Sequence, residues 1–385
     1  MASSAVNLLD LAAASLSSVI VAADLIREMS TTDENDTGVL PSHNNVRLKA
    51  DGSVVTDADF AAQSIIVQSL QYVSNDIRIV GEESEEEMAK KSMTGMEDKI
   101  QAMFHLAQKE IQMRYNSDGE GSSDLPFPLA QQRLAQNDDA TNAETEASPS
   151  TSQDRALEKL KDCEVDPSRV SVFIDPLDGT KCYAEGEFDA VSILVGIVLD
   201  GMPCFGVICK PFGYAGHTTV MNTECVVFYG GTLLGAAYTA GGSTLRYSLE
   251  GKLPEDLPRA VISGSKAKGI IKEFVAHLGN KGIVQSEPLL VSGAGEKSLR
   301  MIIRSHKEGL WFYPKAGTSL WDVAASDAIL RILGGKLTDK NGKNMDYSRS
   351  QAEALNRNGV VACYDATLHA ECIRLFTEGS WEATE

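Results

Sequence analysis

The apolar run Ser171–Ile174 has strand character and stops abruptly at Asp175-Pro-Leu-Asp178-Gly-Thr180. No other junction limits the fold as much. It sits at the end of a strand, where α/β architectures place their sites. Pro176 fixes the backbone and removes a donor. Gly179 allows a sharp turn. The two Asp side chains can then converge on one point, with the Leu177 carbonyl facing it. All three are hard oxygen donors of the kind Mg²⁺ prefers. An ordinary acidic turn remains the other reading, since Asp-Pro and Asp-Gly form turns readily.

The rest of the chain places this junction in a larger plan. Val6–Met29 repeats apolar residues at helical spacing (Leu8, Leu9, Ala12, Leu16, Val19, Ile20, Ala23, Ile26) and predicts a long helix. A polar loop covers Thr31–Asn45. A second helix begins near Thr56, a suitable N-cap, with Asp57 and Asp59 in its first turn. Ile77–Val80 reads as a short strand ending at Gly81-Glu82-Glu83. Met96–Tyr115 reads as a helix. Asn116–Asp154 is rich in Ser, Asp, Asn, Gly and Pro, the composition of a surface excursion. Strands are expected at Val191–Leu199, Pro203–Lys210 and roughly Thr218–Tyr229, with Asp200-Gly201 as a hairpin turn.

Beyond Pro254 strands and helices alternate: strand Arg259–Ser263, helix Ala267–Leu278, strand Pro288–Val291, helix Glu296–Glu308, strand Leu310–Tyr313 and helix Asp322–Leu333, closed by Gly334-Gly335. A chain of 385 residues exceeds what one hydrophobic core usually organises. Two domains are therefore expected. Residues 1–250 would form helices on an antiparallel sheet, with 84–160 as an acidic insertion. Residues 251–385 would form an α/β unit completing the site.

Composition narrows the function. The formal net charge of −19 opposes binding of a nucleic-acid polymer or an anionic membrane. No run reaches the roughly 18–20 uninterrupted apolar residues of a membrane span. The N-terminus lacks the basic start of a signal peptide, so cytoplasm is the expectation. Seven cysteines without a CxxC pair read as reduced, mostly buried thiols. Trp311 and Trp321 read as core aromatics, His217 and His306 as surface or packing residues, and Asp327 as a helix-surface or capping residue.

Three carboxylates elsewhere also sit at element ends: Asp59, Glu82 and Asp322. Gly81-Glu82-Glu83, Asp175-Pro-Leu-Asp-Gly-Thr180 and Trp321-Asp-Val-Ala-Ala-Ser-Asp-Ala together resemble the inositol monophosphatase superfamily of Mg²⁺-dependent, Li⁺-inhibited phosphatases. The likeness covers nearly the whole chain, apart from 84–160. It implies an α/β fold of the inositol monophosphatase and fructose-1,6-bisphosphatase kind, an α+β sandwich layered αβαβα. It also implies that Glu82, Asp175, the Leu177 carbonyl, Asp178 and Asp322 bind two or three Mg²⁺, that Asp59 pairs with Thr180 as the catalytic couple, and that groups after Gly179 hold phosphate oxygens.

Within that superfamily the chain is most similar to the 3'(2'),5'-bisphosphate nucleotidases. Four segments carry this: Lys49-x-Asp51-x-Ser53-x-Val55-Thr56-x-x-Asp59, Asp175-Pro-Leu-Asp-Gly-Thr-Lys181-x-Tyr183, Ser292-Gly-Ala-Gly-x-Lys297 and Gly334-Gly-Lys-Leu-Thr-Asp-x-x-Gly342. The resemblance implies hydrolysis of adenosine 3',5'-bisphosphate to AMP and phosphate, with the sulfated analogue a further possible substrate. Ser263, Ser265, Lys268, Gly293 and Lys297 are candidates for a second anion site, against the simpler reading of each Lys as a solvated side chain. Ser265 stands where those enzymes often carry a His. An inositol phosphatase and a non-catalytic nucleotide or metal sensor are the competing readings. The expected partner is a small phosphate compound.

Overall fold

A computed structural model describes residues 5–30, 46–49, 52–84, 88, 96–116, 163–220, 223–240, 244–245, 257–264, 268–305, 307–379 and 381. The acidic run 85–87, Asp51, Ser265, His306, the loop 31–45 and most of the 84–160 insertion lie outside the described residues.

Helix α1 (Leu8–Ser30) shows how the first layer forms. It is apolar around its whole circumference, so it must be covered on all sides. Helix α2 (Asp57–Val73), helix α3 (Glu97–Asn116) and the first sheet cover it. By length and composition α1 could cross a membrane, yet 83% of its most apolar window is buried within the protein.

The first sheet has seven strands: β1 (Arg78–Gly81), β2 (Val170–Asp178), β3 (Ser192–Leu199), β4 (Met202–Lys210), β5 (Val226–Gly231), β6 (Ala236–Thr239) and β7 (Thr244–Leu245). Their spatial order is β7-β6-β5-β4-β3-β2-β1. All pairs are antiparallel except β1 with β2, which run parallel. The ends of β1 and β2 therefore emerge side by side. Asp200 and Gly201 both adopt positive φ (51° and 76°), the geometry of a two-residue hairpin between β3 and β4.

The second sheet has five strands: β8 (Arg259–Ile262), β9 (Leu289–Leu290), β10 (Glu308–Tyr313), β11 (Lys336–Thr338) and β12 (Val360–Cys363), in the order β9-β8-β10-β12-β11. Helix α4 (Thr180–Ala184) is a short turn after β2. Helix α5 (Ile270–Asn280) and helix α8 (Ala366–Glu378) cover the outer face of the second sheet. Helix α6 (Ala294–Ile303) and helix α7 (Ala324–Ile332) lie between the sheets. Three cores result, one for each helix layer against its sheet face, which is the five-layer αβαβα order.

The structure changes several sequence boundaries. β2 runs on to Asp178, so both aspartates belong to the strand end. The strand expected from Thr218 begins only at Val226, because Val220 N–H bonds to Cys225 O and the chain reverses there. Helix α6 stops at Ile303, since Arg304 is left-handed at φ 57°. Asp322 precedes α7 rather than starting it. Asp327 is not at the surface. It is fully buried, accepting bonds from Arg331 Nε (2.7 Å) and Tyr347 OH (3.0 Å). Strand β11 falls in the Gly334–Gly342 segment that resembles a C-terminal strand and turn, whereas β6, β7, β12 and helix α8 go beyond the elements read from the sequence. The short strands carry too few residues for a periodic signal.

The seam between α7 and the first sheet depends on small residues. A Cβ on Gly206 would fall inside the contact radius of the Ala325 carbonyl, and one on Gly196 would lie 2.6 Å from the Ala324 Cβ. Gly206→Ala is expected to cost about 1–3 kcal/mol by overpacking. Chemical denaturation would show this as a lower midpoint with an unchanged slope.

His369 on α8 is buried with Nε2 2.8 Å from Thr338 Oγ1. Burial, with Lys336 adding repulsion, pulls its pKa from 6.5 down to about 4. Between those values the unfolded chain holds the proton and the folded chain does not, so this residue's contribution falls as pH drops from 6.5 towards 4. His369→Gln is expected to flatten that part of the stability–pH curve, measured by thermal melts at stepped pH.

Candidate active site

The site forms where β1, β2, α2, α6 and the turn before α7 meet. The register places Gly81 opposite Ile174, and Glu82 N–H bonds to Ile174 O (3.1 Å). Glu82 therefore leaves β1 beside Asp175 on β2. Asp175, Asp178 and Asp322 each present a carboxylate oxygen within 4.8 Å of the others. Asp175 and Asp178 are buried, and Asp322 is half-buried.

Each carboxylate is held from a different direction. Asp178 accepts from Ser192 Oγ (2.9 Å), Ala294 N–H (2.9 Å) and Gly295 N–H (2.7 Å). It thus sits on the N-terminus of α6, where the helix field favours an anion. Gly293 at φ 76° makes this approach possible, because a Cβ there would lie 3.0 Å from Asp178 Oδ2 and 2.5 Å from Ala190 O. Asp322 accepts from Ser319 N–H. Asp175 Oδ1 accepts from Leu177 N–H at 3.2 Å.

The electrostatics are unfavourable as they stand. Burial and the charges of Glu82, Asp178 and Asp322 hold Asp175 well above the usual carboxylate range. Burial and Asp178 push Asp322 up to about 7. Hard oxygen donors gathered within 4.8 Å of one another, with their charges opposed, fit a divalent cation in the same place.

Beside the cluster, Asp59 is completely buried in the first turn of α2. Its Oδ2 accepts from Thr56 N–H (2.8 Å) and Thr56 Oγ1 (2.6 Å). Its Oδ1 lies 3.0 Å from Thr180 Oγ1, which is also 2.9 Å from the Leu177 carbonyl. Burial pushes the Asp59 carboxyl up to about 6, against the Thr56 bonds that lower it. The Thr180 hydroxyl carries one proton and faces two acceptors, so it can relay between Asp59 and a neighbour.

Lys49, quoted from the first motif but given no role there, places Nζ 2.8 Å from Glu82 Oε1 and 2.7 Å from Glu83 Oε1. Burial opposes its charge, but Glu82 and Glu83 outweigh burial and raise its pKa. Ser192 and Gln63 also went unnoticed, since a single Ser or Gln carries no motif of its own.

The second-anion candidates divide. Lys297 is buried; its ammonium donates to Gly293 O and lies 5.5 Å from the Trp311 ring centroid. The N–H groups following Gly293 are taken by Asp178. Ser263 follows β8 and is half-buried, and Lys268 is exposed before α5. A cavity of about 560 Å³ adjoins the site at Ala190 and Ser292, with Phe188, Leu290, Glu296 and Arg300 in its wall.

The described cysteines are all free thiols, six of them buried. Trp311 is buried, Trp321 is half-buried, and His217 packs against Tyr214 and Phe228.

Comparison with known proteins shows what the chain is similar to. The 3'(2'),5'-bisphosphate nucleotidase 1 of Dictyostelium discoideum is 26% identical over 366 residues, covering 93% of this chain and 94% of that protein. Inositol monophosphatase 3 of Danio rerio is 30% identical over 203 residues, covering 52% of this chain and 51% of that protein. The crystal structure of CysQ from Bacteroides thetaiotaomicron, a bacterial member of the inositol monophosphatase family, shares the fold. Its TM-score is 0.52 at 17% identity, covering 92% of this chain and 97% of that one. The model of the inositol monophosphatase family matches residues 85–378, well over half the chain, so this protein belongs to that family.

Proposed function

We propose that the protein is a Mg²⁺-dependent phosphomonoesterase that hydrolyses adenosine 3',5'-bisphosphate, and possible sulfated analogues, to AMP-type products and phosphate. The observation that carries this is the Asp59–Thr180 couple set directly beside the Asp175, Asp178 and Asp322 carboxylates. In this reading Glu82, Asp175, the Leu177 carbonyl, Asp178 and Asp322 hold two or three Mg²⁺. Bound there, the ions would neutralise the phosphate charge and stabilise the departing oxygen.

The protein's own residues then do the rest. Thr180 Oγ1 accepts a hydrogen bond from the attacking water and donates its own proton toward Asp59 Oδ1. Asp59, with its pKa near 6, can take up that proton near neutral pH. The bonds from Thr56 hold Asp59 so that only Oδ1 faces Thr180. Gly179 and Thr180, at the end of β2 beside the cluster, are the proposed contacts to phosphate oxygens. Ser263, Ser265, Lys268, Gly293 and Lys297 remain the proposed second-anion residues. Lys297 would act there through Gly293, whose carbonyl it holds.

The nucleotide preference is supported by the Dictyostelium discoideum relative, whose alignment spans nearly the whole of both chains. The inositol monophosphatase 3 likeness favours a second reading, an inositol phosphate substrate. The proposal includes domains at 1–250 and 251–385, and a cytoplasmic setting consistent with free thiols and the strongly acidic charge.

Phosphate release should require Mg²⁺, cease with EDTA, and be faster from adenosine 3',5'-bisphosphate than from inositol 1,4-bisphosphate or inositol 1-phosphate. The reverse order would move the substrate assignment to inositol phosphates, and no release from any of the three would favour a sensor. Thr180→Val should lower kcat by about 10²- to 10⁴-fold with little change in KM, while Thr180→Ser keeps most of the rate. Equal losses in both variants would rule out the hydroxyl relay.

A further inference from the structure

The backbone around Glu82 is held more firmly than a strand end usually is. Gln63 lies one turn after Asp59 on the same face of α2. Its side-chain amide pairs with the Glu83 main chain in both directions: Nε2 donates to Glu83 O (2.7 Å) and Oε1 accepts from Glu83 N–H (3.0 Å). Gln351, in the loop after β11, reaches the same place from the other side. Its Nε2 donates to Gly81 O (2.7 Å) and Glu83 O (3.3 Å). Two glutamines, one from each side of the site, thus fix the peptides before and after Glu82.

The loop carrying Gln351 also reaches Asp322. Arg349 donates to Glu353 O (3.1 Å), Leu355 O (3.0 Å) and Asn356 Oδ1 (3.3 Å), so its guanidinium braces the loop internally. Asn356 N–H bonds to Thr318 O (2.8 Å) and its Nδ2 donates to Ser319 O (3.0 Å). Leu320 N–H bonds to Ala354 O (3.0 Å). Ser319 N–H, in turn, donates to the Asp322 carboxylate. Arg78 on β1 donates to Arg349 O (2.9 Å) and Ser348 O (3.1 Å), tying the loop to the sheet edge.

We infer that residues 347–356 form a strap that sets the separation between the Glu82 and Asp322 carboxylates, with Gln351 and Gln63 as positioning residues for the cation site. This inference rests on the metal-dependent reading above. Outer hydrogen bonds that orient ligating groups commonly govern metal affinity by about 10- to 100-fold. Gln351 is half-buried at the loop, so an apolar replacement of similar length leaves the cores intact.

The test is Mn²⁺ binding to the full chain, followed by electron paramagnetic resonance of the free ion, beside a thermal melt. Gln351→Met is expected to weaken Mn²⁺ binding by about 10- to 100-fold without a matching loss in Tm. Its activity is expected to recover at saturating Mg²⁺. Gln63→Met is expected to do the same or more; if it fails to fold, Gln351→Met alone decides. Wild-type Mn²⁺ affinity in Gln351→Met overturns the strap. Failure of the unmodified protein to bind Mn²⁺ at all overturns the metal reading instead, so the two failures are distinguishable.

Discussion

Asp178 is the point on which the two sheets depend. Its carboxylate ends a strand of the first sheet and accepts two N–H bonds from the first turn of a helix beside the second. A buried anion at a helix N-terminus is stabilised by the unpaired N–H groups there, and those groups are satisfied by the anion. Neither side is well served without the other. Ser192 adds a third donor from the neighbouring strand. The joint between layers and one wall of the carboxylate cluster are therefore the same set of bonds.

The cluster exists because the ends of β1 and β2 and the turn before α7 are brought together while their charges oppose it. Asp175 is held above the usual carboxylate range by burial and by the charges of Glu82, Asp178 and Asp322, and Glu82 is answered by Lys49. The Lys49 ammonium is one way of offsetting negative charge at this place, and a divalent cation would supply another. The cost of burying these groups is met by the packing around them: three cores, the close seam of α7 on Gly196 and Gly206, and a polar loop that spans from Gly81 to Ser319. Function and stability pull against each other here, as they commonly do where like charges are gathered.

The sequence was a good guide to parts defined by nearest neighbours. The turn at Asp175–Thr180 needs Pro and Gly at fixed offsets, and the Asp200-Gly201 hairpin needs two positive-φ residues. Such constraints act over a few residues and leave a mark in the chain. The apolar repeat of Val6–Met29 likewise announced a long helix, and the fold showed it to be covered on all sides. The candidate ligands at Glu82, Asp175, Asp178 and Asp322 were legible as acids at element ends, and the family likeness supplied their grouping.

What only the tertiary structure decided is which groups face one another. Gln63, Ser192, Asn356 and Gln351 are unremarkable in sequence, because a neutral polar side chain gains its role from the carbonyl or carboxylate it meets. Asp327 looked like a surface acid at helical spacing, and only its contacts with Arg331 and Tyr347 show it to be a buried anchor. Lys297 is an anion candidate in the sequence, and only the fold shows that its ammonium also donates to the Gly293 carbonyl. Local chemistry fixes turns, caps and periodic faces through short-range sterics. Charge pairing and hydrogen bonding between distant residues depend on how layers stack, and that is set only when the whole chain is packed.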